Sequence, residues 1–508
     1  MISGQRLNMN KRAGLIIIFL VIIVTVLRTW ASLSVPYLSD DSSYQNLRMT
    51  SGLTFSNIVN DPYSFGGRLI ILNPFSTNLL AIFHSATQPI LAYKIILNFI
   101  AALTIAVIFL ISLRLTKRTS HAVLVAILAA CIPLQYLITL NSVSIIPIAL
   151  LLFLLAIYYY IAQTQEPTKM RLILCIILFL ASAILHPLFL LFLCGFIIGL
   201  FYCRILGQRA THFERELLVA TLLVAIVANY IIYVKAFLVH GISALFEWTL
   251  FVPYIHLSQI LSLLPQMGLV IFAAAMYTLF NAFEKGKSRP IFIFAGIMSS
   301  AFMATSFRVI SADIGLIIIS VMSVLILPYF FDDTYDYFCQ TKFYQRATVI
   351  IYGVWIILFV LSIIPTLIYS KDVLSQSTSP ALVEALKWID MAAEQNATVV
   401  IPIQYAQTAM YFAQRKTIMD QNVLLEDNPQ SRADAINQIY TTPYSSTILS
   451  ILQSFGVTKQ EPAYIVFLDD QSMPKATTML GYQNDCFATV FTNSNVKIFK
   501  SLCEVREQ

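Results

Sequence analysis

Charge is what this sequence has least of. Asp, Glu, Lys and Arg together make up 11% of its 508 residues, against 58% hydrophobic ones. Soluble domains carry about a quarter charged residues, so a chain of soluble domains alone is excluded. Apolar runs of roughly 18 or more residues recur along the chain, the mark of membrane-spanning helices. The formal net charge of +6 does not indicate a nucleic-acid partner, because Lys and Arg are scattered through short loops. None of the seven cysteines forms a C-x-x-C pair, the spacing that dithiol and thiolate-metal sites use. Cys131, Cys175 and Cys194 lie in apolar runs and are expected to be packing residues, whereas Cys486 and Cys503 share the last segment and are candidates for a disulfide. The histidines lack metal-ligand spacing. There is no internal repeat or low-complexity tract. No small-residue cleavage site follows the first apolar run, Ala13–Leu33, which is expected to remain as a span.

The pattern predicts a polytopic α-helical membrane protein with about eleven spans. They are Ala13–Leu33, Leu91–Leu113, His121–Leu140, Ile145–Ala162, Leu172–Leu185, Leu188–Cys203, Leu217–Val234, Leu264–Phe283, Pro290–Thr305, Val309–Phe330 and Ala347–Tyr369. His186-Pro187 breaks the fifth from the sixth, as proline ends or kinks a helix. The basic clusters Arg6/Lys11/Arg12, Arg114/Lys117/Arg118, Lys169/Arg171, Arg204/Arg209/Arg215, Lys285/Lys287/Arg289 and Lys342/Arg346 then fall in alternate loops. The positive-inside rule puts them and the N-terminus in the cytoplasm. Asp332, Asp333 and Asp336 are expected there in a solvated loop. The loop 34–89, the turn Thr139–Ser144, His186, Arg308 and everything after Tyr369 face outward.

From about Ser370 the composition becomes that of a soluble domain. A helix capped by Ser379, strands at ATVVIP, AYIVFL and NVKIFK, and helices at Ser431–Tyr440 and Thr442–Phe455 predict a small three-layer α/β domain. Two domains follow: residues 1–369 in the membrane and 370–508 as an extracytoplasmic α/β domain. Asn396-Ala397-Thr398 makes a glycosylation sequon on that side.

Against this background the first outer loop stands out. Asp40-Asp41, Arg48, Asp61 and Arg68 fall within one stretch just past a span. A carboxylate there can take a proton from an acceptor hydroxyl or hold a divalent cation that neutralises phosphate. Arg suits an anionic leaving group. Ordinary salt bridges in a solvated loop explain the same residues on chemistry alone.

Asp40-Asp41-Ser-Ser-Tyr44-Gln-Asn-Leu-Arg48 and Asn60-Asp61-Pro62-Tyr63-Ser-Phe-Gly66-Gly67-Arg68, with Asn73-Pro74-Phe75 behind them, resemble the first external loop of archaeal-type GT-C glycosyltransferases. The catalytic subunit of oligosaccharyltransferase is the best-known relative. Ile184-Leu185-His186-Pro187 is similar to the family's His-Pro hairpin, and Ser306-Phe307-Arg308 to its external arginine, which contacts the lipid-linked phosphate. The closing strands around Cys486 and Asn495–Phe499 are similar too. The resemblance implies a GT-C-like fold and transfer of a sugar from a polyprenyl-phosphate-linked donor to an acceptor on the extracytoplasmic face. Asp41 and Asp40 would be catalytic, Asp41 favoured by register, or ligands of a divalent cation such as Mg or Mn. Arg308, Arg48 and Arg68 would bind the donor phosphate, with Tyr44, Asp61, His186 and Glu247 in support.

Two departures from the family narrow this. The second outer loop, Thr139-Leu-Asn141-Ser142-Val-Ser144, has no carboxylate. Where the family carries W-W-D-Y-G, this chain reads Ile401-Pro-Ile-Gln404-Tyr405-Ala-Gln407, which argues against asparagine as acceptor. A catalytically silent scaffold or lipid-linked-glycan binding subunit is the alternative. A transporter fits less well, because the spans are nearly free of midplane charge.

Overall fold

Each expected apolar run contains a helix in the computed structural model, which describes residues 11–52, 55–64, 67–85, 87–241, 264–286, 289–307, 309–342, 344–422, 425, 429–468 and 486–503. By length and composition, seven of the described helices can cross a membrane, or eight if a bent pair counts as one span. That pair is Thr119–Ala129 and Pro133–Thr139, bent by 49°. Pro133 lacks the N–H that would continue the first helix, and the hydroxyl of Thr366 donates to Cys131 O at 2.8 Å in the break. Lys169–Leu185 and Leu269–Lys285 have 17 residues and Arg289–Ser306 has 18. At about 1.5 Å per residue the two 17-residue helices fall a little short of a hydrocarbon core of about 30 Å, while Arg289–Ser306, as long as Leu188–Ile205, is less apolar, opening on Arg289. Among the described residues a total near eleven is reached only if these three helices also cross.

The chain divides into two compact units, Met1–Ser34, Leu91–Val234 and Ile242–Ser375 forming the first, and Val35–Ile90, Lys235–Gly241 and Gln376–Gln508 the second. The acidic loop, assigned above to the membrane domain, therefore folds with the C-terminal residues. The boundary falls at Ser375, where the Ala347–Ser375 helix ends.

In the first unit, Ala312–Cys339 is buried continuously from Ile314 to Pro328, as expected of a helix apolar on every face. It runs past Phe330, so Asp332 and Asp336 lie one turn apart on a helix and not in a loop. They pair with Arg118, and Asp332 also meets His121 Nδ1 at 2.7 Å. The Lys11–Leu33 helix buries one stripe, Ala13, Ile17, Val21 and Val24, against Ile105, Phe109, Ala122 and Ala126. Its opposite face, with Leu15, Ile18, Phe19 and Ile22, is exposed. An exposed apolar face of that size belongs against lipid.

Helices Leu188–Ile205 and Arg289–Ser306 meet backbone to backbone. Gly195 and Gly199, four apart, face Gly296, where an added Cβ would lie 2.3 Å from Gly195 O and Gly199 N. Small residues at this spacing permit close packing of membrane helices. Gly296→Ala is expected to cost about 1–3 kcal/mol through overpacking. A thermal melt in detergent checks this, with Gly353→Ala, where a Cβ meets nothing within 4 Å, as the control that should not lower the midpoint.

The second unit carries two sheets. Strands β1 (Ile58–Asp61) and β2 (Arg68–Ile71) pair antiparallel in the loop. The larger sheet contains β3 (Thr398–Val400), β4 (Lys416–Thr417), β5 (Ala463–Leu468), β6 (Phe487–Thr492) and β7 (Val496–Ser501), in the order β4-β3-β5-β7-β6. The first three run parallel; β7 is antiparallel to both β5 and β6. Side chains alternate across a strand. Tyr464 and Val466 accordingly pack with Leu386 and Ile389 of the Pro380–Ala392 helix. Phe467, on the opposite face, meets Tyr440 of the Pro429–Thr441 helix. This is the expected three-layer arrangement. Its strands β4 and β6 escape the sequence pattern, β4 because two residues carry no period. Cys486 and Cys503 are disulfide-bonded across β6 and β7.

Candidate active site

The two adjacent carboxylates do different things. Asp40 caps the helix Asp41–Met49, accepting from Ser42 N at 3.2 Å, while the hydroxyls of Ser42 and Ser43 also point to its Oδ2. Asp is a favoured N-cap, and a second negative residue in the first turn suits the helix dipole. Asp40 is half-buried, and its partners among the described residues come from its own turn.

Asp41 is 8% exposed. Its Oδ2 accepts from Gln407 N at 3.0 Å, and its Oδ1 from Thr408 N at 2.8 Å and Thr408 Oγ1 at 2.7 Å. Those amides open the helix Ala406–Phe412, where backbone N–H groups have no partner within the helix. One carboxylate thus ties two helix starts together across more than 360 residues of sequence. Burial pushes the Asp41 carboxyl up to about 7, against the opposing pull of the Thr408 hydroxyl and the two amides.

The arginines are committed as well. Arg48 makes a two-pronged ion pair with Asp61, at 2.5 and 2.8 Å, and donates to Gln407 Oε1 at 3.0 Å. Asp61 is 1% exposed and also accepts from Tyr63 N at 3.1 Å. Arg68 pairs with the buried Asp420, whose carboxyl is raised by burial and held back by that guanidinium. Tyr44 is fully buried; its hydroxyl donates to Thr378 Oγ1 at 3.1 Å and accepts from Leu38 N at 3.1 Å. Burial pushes its phenol up to about 12.

The structure therefore brings Asp40, Asp41, Tyr44, Arg48, Asp61 and Arg68 into one unit with Gln407, Thr408 and Asp420. His186 belongs to the other unit; it follows the Lys169–Leu185 helix, and its Nδ1 accepts from Leu188 N at 3.1 Å. Arg308 and Glu247 lie outside the described residues. Both oxygens of Asp41 are taken by N–H and O–H donors, and among the described residues no three His, Cys, Asp or Glu side chains converge.

The sequence reading missed the partners in the C-terminal residues. Gln407 stands in the stretch that replaces W-W-D-Y-G, but nothing local marks an amide N–H as the cap of a distant carboxylate. It also passed over Arg28 and Lys94, charges visible inside the first two apolar runs.

The fold is that of the GT-C class of membrane glycosyltransferases, at low sequence identity. The archaeal oligosaccharyltransferase AglB from Archaeoglobus fulgidus, in complex with an inhibitory peptide and a dolichol-phosphate, superimposes with a TM-score of 0.60 at 11% identity, over 91% of this chain and 71% of that one. ArnT from Cupriavidus metallidurans in the apo state gives 0.62 at 11% identity, over 97% and 98% of the two chains. The same protein bound to undecaprenyl phosphate gives 0.57 at 10% identity, over 95% and 97%. No protein-family model and no curated protein matches the sequence.

Proposed function

We propose that this integral membrane protein transfers a sugar from a polyprenyl-phosphate-linked donor to an acceptor on the extracytoplasmic face. The observation that carries the reading is the acidic first loop, held as one ion-paired and hydrogen-bonded network within a chain of GT-C fold. Asp40 is held by donors of its own turn, whereas Asp41 is tied to the distant amides of Gln407 and Thr408. Asp40 is accordingly the carboxylate that takes the proton of the acceptor hydroxyl, in place of Asp41, which register alone favours. Asp41 acts as a positioning residue: it fixes the turn that presents Asp40. Arg308 is the proposed partner of the donor phosphate. Arg48 and Arg68, neutralised by Asp61 and Asp420, serve by bracing the loop. The disulfide between Cys486 and Cys503 fits an oxidising compartment, in keeping with an extracytoplasmic C-terminal unit.

The test is to incubate the purified chain with polyprenyl-phosphate sugars and follow transfer or hydrolysis. Asp40→Asn combined with Asp41→Asn should abolish turnover while leaving the protein inserted in membranes; retained turnover would sink the catalytic role. A second reading has one observation in its favour, the neutral second loop Thr139–Ser144. A silent relative that only presents a lipid-linked glycan would bind the donor and never turn it over.

A further inference from the structure

In the first unit, a cavity of about 270 Å³ lies where the start of Thr119–Ala129, the last turns of Ala312–Cys339 and the start of Ala347–Ser375 come together. Leu124 and Ile351, both buried, line its inner side, and the exposed Ser120 and Thr348 line its mouth. One turn further in, Trp355 Nε1 donates to Leu124 O at 2.9 Å and closes the gap between the two helices. Both signs of charge stand at the mouth. The Arg118 guanidinium lies 4.5 Å from the centre of the Tyr335 ring, with Nη2 donating to Asp336 Oδ1 at 3.2 Å and Nη1 3.6 Å from Asp332 Oδ1. Asp332 is held a second time by His121, whereas the Asp336 side chain is 61% exposed.

The cavity continues into an apolar track. From its wall at Thr348 and Tyr352 the same helix presents Ile356, Val360 and Ile364, all exposed, at four-residue spacing. From Tyr352 to Ile364 this row rises about 18 Å at 1.5 Å per residue, close to one leaflet of a hydrocarbon core about 30 Å thick. Tyr335 and Tyr352 are the residue type that sits at the membrane–water boundary. A small polar cavity leading into an apolar row one leaflet deep has the shape of a lipid. The charges narrow the headgroup. A purely anionic one would face Asp332 and Asp336, and a purely cationic one would face Arg118. An ion pair as exposed as Arg118–Asp336 adds little stability, so its members can be shared with a ligand of both signs.

We propose that this cavity binds the headgroup of a zwitterionic phospholipid with a primary ammonium, phosphatidylethanolamine, from the leaflet on the side of Arg118. The phosphate accepts from the Arg118 guanidinium and from the hydroxyls of Ser120 and Thr348, and the ammonium donates to Asp336. A carboxylate favours a headgroup that carries N–H donors, which ethanolamine has and choline lacks. One acyl chain follows the row from Tyr352 to Ile364. The site rests on the cavity, its charges and that row, and is independent of the transfer reading.

The test uses the full chain in dodecyl maltoside. Native mass spectrometry and thermal melting are run with dioleoyl-phosphatidylethanolamine, -phosphatidylcholine or -phosphatidylglycerol added. One phosphatidylethanolamine is expected to stay on each chain, bound about tenfold more tightly than either of the others, and to raise the melting midpoint most. Asp336→Asn, at an exposed position, should erase the advantage over phosphatidylglycerol. Arg118→Gln should weaken both of those lipids by about tenfold. Thr348→Trp, also at an exposed position, should fill the cavity and displace the bound lipid. Equal retention of the three lipids by the wild type would mean a general lipid shell and overturn the proposal. Tightest binding of phosphatidylglycerol would overturn the headgroup assignment, as would an unchanged order of preference in Asp336→Asn. Undiminished retention in Thr348→Trp would place the lipid elsewhere. Should Arg118→Gln fail to fold, the other two variants still decide.

Discussion

Asp40→Asn alone is expected to lower sugar transfer by about 100-fold or more, the usual effect of losing a general base, with little change in thermal stability. The reason is the division of labour between the two carboxylates. Asp40 receives its hydrogen bonds from Ser42 and Ser43 within its own turn. Asn is a good N-cap, so the helix start survives the substitution. What is lost is the ability to take a proton. Transfer assayed with a polyprenyl-phosphate sugar, alongside a melting curve, separates the two effects. Near-normal turnover in Asp40→Asn would remove the base assigned here. Serine hydroxyls compete with an acceptor for the same carboxylate, so Ser42→Ala should leave turnover measurable.

The second large effect concerns Asp41, and its readout is stability. Asn at this position keeps an oxygen for Thr408 but turns an N–H toward the amide of Gln407, where Oδ2 now accepts. Leaving that buried donor unmatched costs about 1–3 kcal/mol. Loop 35–90 should then become easier to cleave by protease in the folded protein. The pH dependence has a definite sign. The Asp41 carboxyl is raised to about 7 from an ordinary value of 3.8, chiefly by burial. The folded chain therefore holds this proton more tightly than the unfolded chain does. The stabilisation from the protonated form is complete below about pH 4 and is lost as pH rises through about 7. Wild-type protein should melt higher at pH 5 than at pH 8, and Asp41→Asn should flatten that difference. An unchanged pH profile in the variant would show that another group carries it.

The two effects bear on the choice between enzyme and silent relative. If the loop only braces the C-terminal unit, both substitutions change stability and neither changes chemistry. If Asp40 is the base, activity and stability separate cleanly between neighbouring residues.

Residue order alone determined a good deal here. Apolar run length fixes helices, because a backbone in lipid must satisfy its own hydrogen bonds. Every expected run accordingly contains a helix. The three strands rich in Val and Ile, the Ser379 cap and the disulfide pair were legible for similar local reasons. The loop motif pointed to a GT-C fold, which the superpositions bear out.

Tertiary structure decided the rest. Which helices are long enough to cross, that Gly296 faces Gly195 and Gly199, and that Asp332 sits on a continuing helix are outcomes of packing. So is the partner of each charge in the loop. A carboxylate's chemistry depends on what donates to it, and for Asp41 those donors, Gln407 and Thr408, are hundreds of residues away. The ion pairs of Arg48 with Asp61 and of Arg68 with Asp420 are likewise set by neighbours in space. Arg28 was visible in the sequence as an odd charge in an apolar run. Only the fold showed that its partners, Asn98, Thr139 and the Tyr136 ring, are neutral, since charge compensation is a property of neighbours in space and not along the chain.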